Sequence, residues 1–191
     1  MKIGKNYTVA FKRKRQNRTD YRQRLRLIQS GQSRFVVRRM LNNITIQIIH
    51  YNPRGDTTVL SAHSRDLLAY GWKAHRGNLP AAYLTGFLAG LQAKKAGIPH
   101  AILDLGLAPV VPGSAFFAAV KGAIDAGLPI PHDPASLPSD ARFNGATIAS
   151  YGAHISSGSL QFARAAKNGL PPQDFPTHFN DIKQKIIQQW K

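Results

Sequence analysis

Thirteen of the first 39 residues are Lys or Arg, and Asp20 is the one acid among them. Like charges at that density cannot be packed against one another, so this stretch needs open solvent or a polyanion. The charge peaks in the run Lys12-Arg13-Lys14-Arg15-Gln16-Asn17-Arg18, and the bias extends to the whole sequence. There are 26 basic and nine acidic residues, every acid an Asp, for a net charge of +17. Such a surplus favours encounter with nucleic acid. A membrane surface fits less well, because it calls for a long basic amphipathic helix with a broad apolar face, and the basic helix here is short. Residues 1–18 carry no hydrophobic period and are expected to be irregular when free. Tyr7, Val9 and Phe11 alternate, which would suit an extended strand but reads better as contact with RNA or a neighbouring protein.

The chain beyond this basic stretch is long enough for one α/β domain. Apolar residues make up 43% of the sequence, and the apolar-rich stretches lie between Phe35 and Ile130, a comfortable single-domain size. The expected division is a basic arm over residues 1–18, a globular domain over 19–130 and a Pro-rich extension with short helices over 131–191. The absence of cysteine excludes a disulfide framework and thiolate metal sites. No leader-like apolar run comes after the first basic residues, and no stretch approaches the ~20 apolar residues of a membrane span. A cytoplasmic protein is expected.

Taken in order, the chain first predicts a helix from Thr19, capped by that residue, with Asp20 at the positive end of the dipole. Tyr21, Leu25 and Ile28 line one face; Arg18, Arg22 and Arg26 line another, with Arg24 beside them. Gly31 ends the helix. Three strands come next, at Arg34–Arg39, Ile44–Tyr51 and Thr57–His63. Asn42-Asn43 suits a tight hairpin with positive φ, and Asn52-Pro53-Arg54-Gly55-Asp56 is a second turn. Together these make an antiparallel meander. Arg34, Val36 and Arg38 share one face of the first strand, opposite Phe35, Val37 and Arg39. Both faces are partly apolar, as in a sheet covered in part on each side, with the arginines at strand ends or an open margin. A short helix over 64–70 leads to the loop Gly71-Trp72-Lys73-Ala74-His75-Arg76-Gly77. There Trp72 either stacks on a base or plugs the edge of the core.

Asn78 and Pro80 start a helix that runs to Ala96; its many small residues imply close packing against a sheet. His100–Leu105 reads as a buried strand, and Ser114 caps a helix ended by Gly127. Strand and helix alternating after a meander make a mixed sheet. Pro129, Pro131, Pro134 and Pro138 predict an extended surface connection, followed by brief pairing near Thr147–Tyr151 and a short helix over 159–167. The last helix starts near Thr177 and carries an apolar stripe of Phe179, Ile182, Ile186 and Trp190. It docks on its own domain or on a neighbour.

Catalytic chemistry is poorly represented. Seven histidines are scattered without ligand spacing, and no phosphate-loop or nucleophile-elbow motif occurs. A metal-dependent nuclease needs clustered carboxylates, whereas Asp104 stands alone on its strand. No catalytic, metal or cofactor site is expected. The alternative kept open is a nucleic-acid-processing enzyme.

The segments Thr19-Asp20-Tyr21, Arg34-Phe35-Val36-Val37-Arg38, Gly55-Asp56, Gly71-Trp72 and Asn78-Leu79-Pro80-Ala81-Ala82-Tyr83-Leu84-Thr85-Gly86 resemble the family of large-subunit ribosomal protein number eighteen. The resemblance continues through Leu103-Asp104-Leu105-Gly106 and Val120–Leu128, and the extension after Ile130 is like the archaeal form. It implies a mixed sheet related to the ribonuclease-H-like fold, with Arg38 and Arg39 where an enzyme of that fold would place an acid. It also implies a structural role: binding 5S rRNA, attaching it to the large rRNA, and adjoining other large-subunit proteins, universal protein number five among them. The RNA-binding residues it places on this chain are Lys12, Arg13, Lys14, Arg15, Arg18, Arg22, Arg24, Arg26, Arg34, Arg38 and Arg39. The residue chemistry adds Arg54, Lys73 and Arg76 as phosphate contacts and Tyr21 and Trp72 as stacking platforms.

Overall fold

Alternating apolar residues pair into a four-stranded sheet. Its strands are β1 (Ser33–Arg39), β2 (Ile44–His50), β3 (Thr57–His63) and β4 (Ala101–Asp104). The computed structural model describes residues 8–155 and 162–190. Strand order is β3-β2-β1-β4; β1, β2 and β3 form the expected antiparallel meander, and β4 lies parallel to β1 on its other side. The β1–β2 connection departs from expectation. Met40 N–H donates to the Asn43 carbonyl at 2.8 Å, and neither Asn42 nor Asn43 takes a positive φ. A loop of four residues reverses the chain without the mirror-image turn that two residues would need.

The register places Phe35 opposite Ile48 and Val37 opposite Ile46. These four side chains are fully buried, with Ala62 beside them. The other face carries Arg34, Val36 and Arg38 across from Ile49, Gln47 and Thr45, and continues to Ser61 and His63 on β3. Over β2 and β3 it is half-buried or exposed. Cover on the two sides is unequal, within the partial cover expected: the helices sheathe one face, while the polar face is buried at Arg34 and Val36 and open over β2 and β3.

On the covered face lies α3 (Leu79–Lys95), whose N-cap Asn78 accepts from Ala81 N–H at 3.0 Å. It is apolar on all sides and buried from Pro80 to Gly90, as a central helix must be. Its small residues do not chiefly serve the sheet. Gly86 and Gly90 instead meet α4 (Ala115–Asp125): a Cβ at Gly86 would lie 2.0 Å from the Ala119 carbonyl, and one at Gly122 would lie 2.1 Å from the Tyr83 carbonyl. The two backbones touch, so the glycines are there for close helix–helix approach. No helix among the described residues is long and apolar enough to cross a membrane.

The region after Ile130 is more ordered than its prolines imply. It holds α5 (Asp140–Phe143), α6 (Ala146–His154), α7 (Ala163–Lys167) and α8 (Phe175–Trp190). Residues 147–151 are helical rather than paired, and the expected start of α7 lies outside the described residues. Phe143 stacks on Tyr83 with centroids 4.4 Å apart. The question of where the last helix docks is answered at home: Phe179, Ile182 and Ile186 enter the main core. Trp190 Nε1–H donates to the Tyr70 hydroxyl at 3.0 Å. Between α3, α4 and α8, the Tyr83 hydroxyl donates to Asp125 and accepts from Lys183, both at 2.7 Å. Burial first, and then the Asp125 carboxylate, hold that phenol well above its ordinary pKa.

α8 also closes over Trp72. His178 stacks on the indole, centroids 5.1 Å apart, and its Nε2 accepts from Lys73 N–H at 3.2 Å. Burial, then the nearby Lys73, lower the pKa of this imidazole, with Asp181 opposing and Lys185 assisting. The neutral form therefore belongs to the folded state, and protonation would remove the acceptor. As pH falls below the unfolded value near 6.5, the unfolded chain takes up this proton first and stability drops. Melting temperature should fall between pH 7.5 and 5 more steeply for the wild type than for His178→Gln, which keeps an acceptor but does not titrate. Parallel curves would show that His178 contributes nothing to the pH dependence.

Candidate nucleic-acid interface

The basic segment forms two short helices. α1 (Lys12–Arg15) is a single exposed turn rather than irregular chain. α2 (Tyr21–Gln29) comes next, and its cap is Asp20 rather than Thr19: Asp20 Oδ1 accepts from Arg22 N–H at 2.9 Å and Gln23 N–H at 3.3 Å. Thr19 has a different task, its hydroxyl accepting from Arg13 Nε at 2.9 Å. Phe11 packs on Tyr21 at 5.0 Å between ring centroids; Tyr7 lies outside the described residues. No residue of α2 is buried, and Leu25 is 56% exposed.

A chain of ion pairs links α2 to the sheet. Arg24 donates to Asp56 Oδ2 at 2.8 Å, Asp56 also takes Arg34, and Arg34 Nη1 donates to Asp104 Oδ2 at 2.9 Å. Arg38 completes the series, giving Nη2 to Asp104 Oδ1 at 3.2 Å and Nη1 to the Asp104 carbonyl at 2.9 Å. Gly106 N–H reaches the same Oδ1 at 2.8 Å. Three arginines and two aspartates thus join α2, the β2–β3 turn, β1 and the end of β4. Neither Asp104 oxygen is left without a donor, so this carboxylate is a structural anion rather than a metal ligand in waiting.

The network floors a cleft of about 340 Å³ between α2 and the carboxyl ends of β1 and β4. Arg13, Arg18, Arg24, Arg34, Arg38 and Arg39 line it, against Asp20 and Asp104. Among the described residues Arg13, Arg18 and Arg39 form no ion pair, so their charge is uncompensated. Lys12, Lys14, Arg15, Arg22 and Arg26 are exposed on the flanking helices, and Arg54 is exposed at the β2–β3 turn. Lys73 and half-exposed Arg76 stand elsewhere, in the 71–77 loop beside Asn42.

Two expected site residues are buried. Arg34 is 4% exposed, because its guanidinium is spent on Asp56 and Asp104 rather than standing at an open margin. Trp72 is 2% exposed and donates Nε1–H to the His75 carbonyl at 3.3 Å; it plugs the core edge under α8. Sequence reasoning passed over Asp56 and Asp104 as anchors. The signal available for them was that a chain so poor in acids keeps one in a turn and one at a strand end. It also missed the open polar face of Thr45, Gln47, Ser61 and His63, although the alternation in β2 shows half of it.

The model of the family described as ribosomal large subunit proteins 60S L5, and 50S L18, matches residues 5–99 and 91–133. The large ribosomal subunit protein uL18 of Methanococcus maripaludis is 42% identical over 191 residues, covering 98% of this chain and 99% of that protein. The likeness thus spans the basic helices, the sheet, the paired helices and the C-terminal extension alike. The chain belongs to the uL18 family: it is a structural, non-enzymatic protein of the large ribosomal subunit, and the nucleic-acid-processing alternative falls away.

Proposed function

We propose that this chain binds 5S rRNA and attaches it to the large-subunit rRNA in the central protuberance, next to universal protein number five. The observation that carries this reading is the convergence of six arginines on one cleft, three of them without an ion pair among the described residues. Phosphates neutralise such charge readily, and the release of their counterions drives binding. Lys12 to Arg18, with Arg22 and Arg26, supply the long-range attraction. Arg38, fixed by Asp104 yet with a 44% exposed side chain, offers donors in a set direction, and a pre-set guanidinium suits bidentate phosphate contact. Tyr21 is the remaining stacking candidate. The open strip of Thr45, Gln47, Ser61 and His63 adds donors and acceptors for ribose hydroxyls. The fold is taken as a relative of the ribonuclease-H-like scaffold put to RNA binding.

The test is a titration of 5S rRNA across a salt series. Affinity should fall steeply with salt, and replacing Lys12, Arg13, Lys14 and Arg15 by Gln should flatten the slope by about 3, at roughly 0.7–0.9 per lost phosphate contact. An unchanged slope would take the arm out of the interface. Binding of 5S rRNA no tighter than an unrelated RNA of equal length would overturn the reading as a whole.

A further inference from the structure

Two of the most exposed apolar side chains sit together at one hairpin tip. Met40 is 65% and Leu41 88% exposed. Their loop is nevertheless held firmly. Met40 N–H closes it on the Asn43 carbonyl, His75 Nε2 lies 3.3 Å from Asn42 Oδ1, and Gly77 packs so near that a Cβ there would stand 2.9 Å from the Leu41 carbonyl. A braced tip presents its side chains at little further loss of conformational entropy, which is what a recognition element needs.

The surroundings indicate the partner. Residues 38–43 and 71–77 carry Arg38, Arg39, Lys73 and Arg76 and no acid. Arg39 also lines the arginine cleft, so the tip continues its rim toward Lys73 and Arg76. An apolar pair set between cations matches RNA: phosphates pair with the flanks, while the apolar side chains meet sugar faces or the flat faces of unstacked bases.

We infer that the Met40–Leu41 tip is an apolar RNA-contacting wedge, and that bound RNA runs from the cleft across this tip to Lys73 and Arg76. This rests on the reading of the chain as a 5S rRNA binder. It adds a contact that no count of charges contains.

The experiment titrates in vitro transcribed 5S rRNA with the full-length wild type, Leu41→Ser, Met40→Ser/Leu41→Ser and Lys73→Gln/Arg76→Gln over a salt series. Leu41→Ser should weaken binding about tenfold with the salt slope and melting temperature unchanged, and the double Ser variant should weaken it further. Lys73→Gln/Arg76→Gln should flatten the slope by roughly 0.7–0.9 per charge. If wild type binds 5S rRNA selectively but both Ser variants match it, the tip serves some other contact, such as a neighbouring protein, and the wedge is wrong. If Lys73→Gln/Arg76→Gln keeps the full slope, the RNA path is wrong. If wild type shows no selectivity for 5S rRNA, the parent reading fails and takes the wedge with it.

Discussion

Asp104→Ala should destabilise the fold by about 3–5 kcal/mol, the usual consequence of leaving one member of a buried ion pair without its partner. Arg34 stays in the interior at 4% exposure, its Nη1 loses its acceptor, and its Nε already lacks one. Asp56 still neutralises part of the charge, but it stands on the far side of the guanidinium and cannot serve Nη1 as well. Gly106 N–H loses its acceptor too. Urea unfolding monitored by circular dichroism checks this, with the midpoint moving at nearly constant slope. Arg34→Met should be milder, since it removes the buried cation and leaves Asp104 with Arg38 and Asp56 with Arg24. Arg24→Ala should matter least, about 0–1 kcal/mol, because that guanidinium is 35% exposed and solvent screens the pair. A loss below about 1 kcal/mol for Asp104→Ala would mean that the network is effectively solvated. Burial should also keep the Asp104 effect intact at high salt, whereas the RNA binding proposed for the arm should disappear there. On the proposed reading, the same charge type plays two physically separable roles within one cleft.

Gly122→Ala should lower stability by about 2 kcal/mol or more, although alanine is the better helix former. The propensity gain is about 1 kcal/mol. Against it, the new methyl would lie 2.1 Å from the Tyr83 carbonyl and near Phe87 N, both backbone atoms that cannot rotate aside. Overpacking of that kind costs about 3 kcal/mol or more when the obstacle is rigid. Gly86→Ala meets the Ala119 carbonyl at 2.0 Å and should behave alike, while the two together should be less than additive, since separating the helices once relieves both. Each kcal/mol lowers the melting temperature by roughly 2–4 °C in a chain of this size. Gly97→Ala is the control. It has no heavy atom within 4 Å of its Cβ position but a φ of +70°, so it reports left-handed strain alone, about 1–2 kcal/mol. A Gly122→Ala variant that melts with or above the wild type would refute the backbone contact.

These two sites mark where sequence reading succeeds and where it stops. Asn78, Gly31, Gly97 and Gly127 act on their own neighbours through caps and left-handed stops. The helices they bound were therefore legible, as were the three strands of the meander. Cap choice was less so: Thr19 and Asp20 are both good N-caps, and Asp20 took the role while Thr19 accepted a bond from Arg13. The cleft was legible as a concentration of charge. Which arginines face it was not, because Arg34 and Asp104 are 70 residues apart in sequence. Trp72 and Lys73, adjacent in the chain, ended in opposite environments once α8 covered the indole and left the lysine outside.

By itself the amino-acid sequence determined the alternation that makes the sheet, the limits of the main helices and a surplus of positive charge that needs open solvent or a polyanion. Each of these arises from residues acting within a few positions of one another. Tertiary structure alone decided which charges are neutralised inside and which remain exposed, that the small residues of α3 admit α4, and that α8 closes the core from which it was far removed. The reason is the same each time. A guanidinium, a glycine or an apolar stripe carries a requirement for a partner, and the partner is supplied by whatever distant segment the folded chain brings to it.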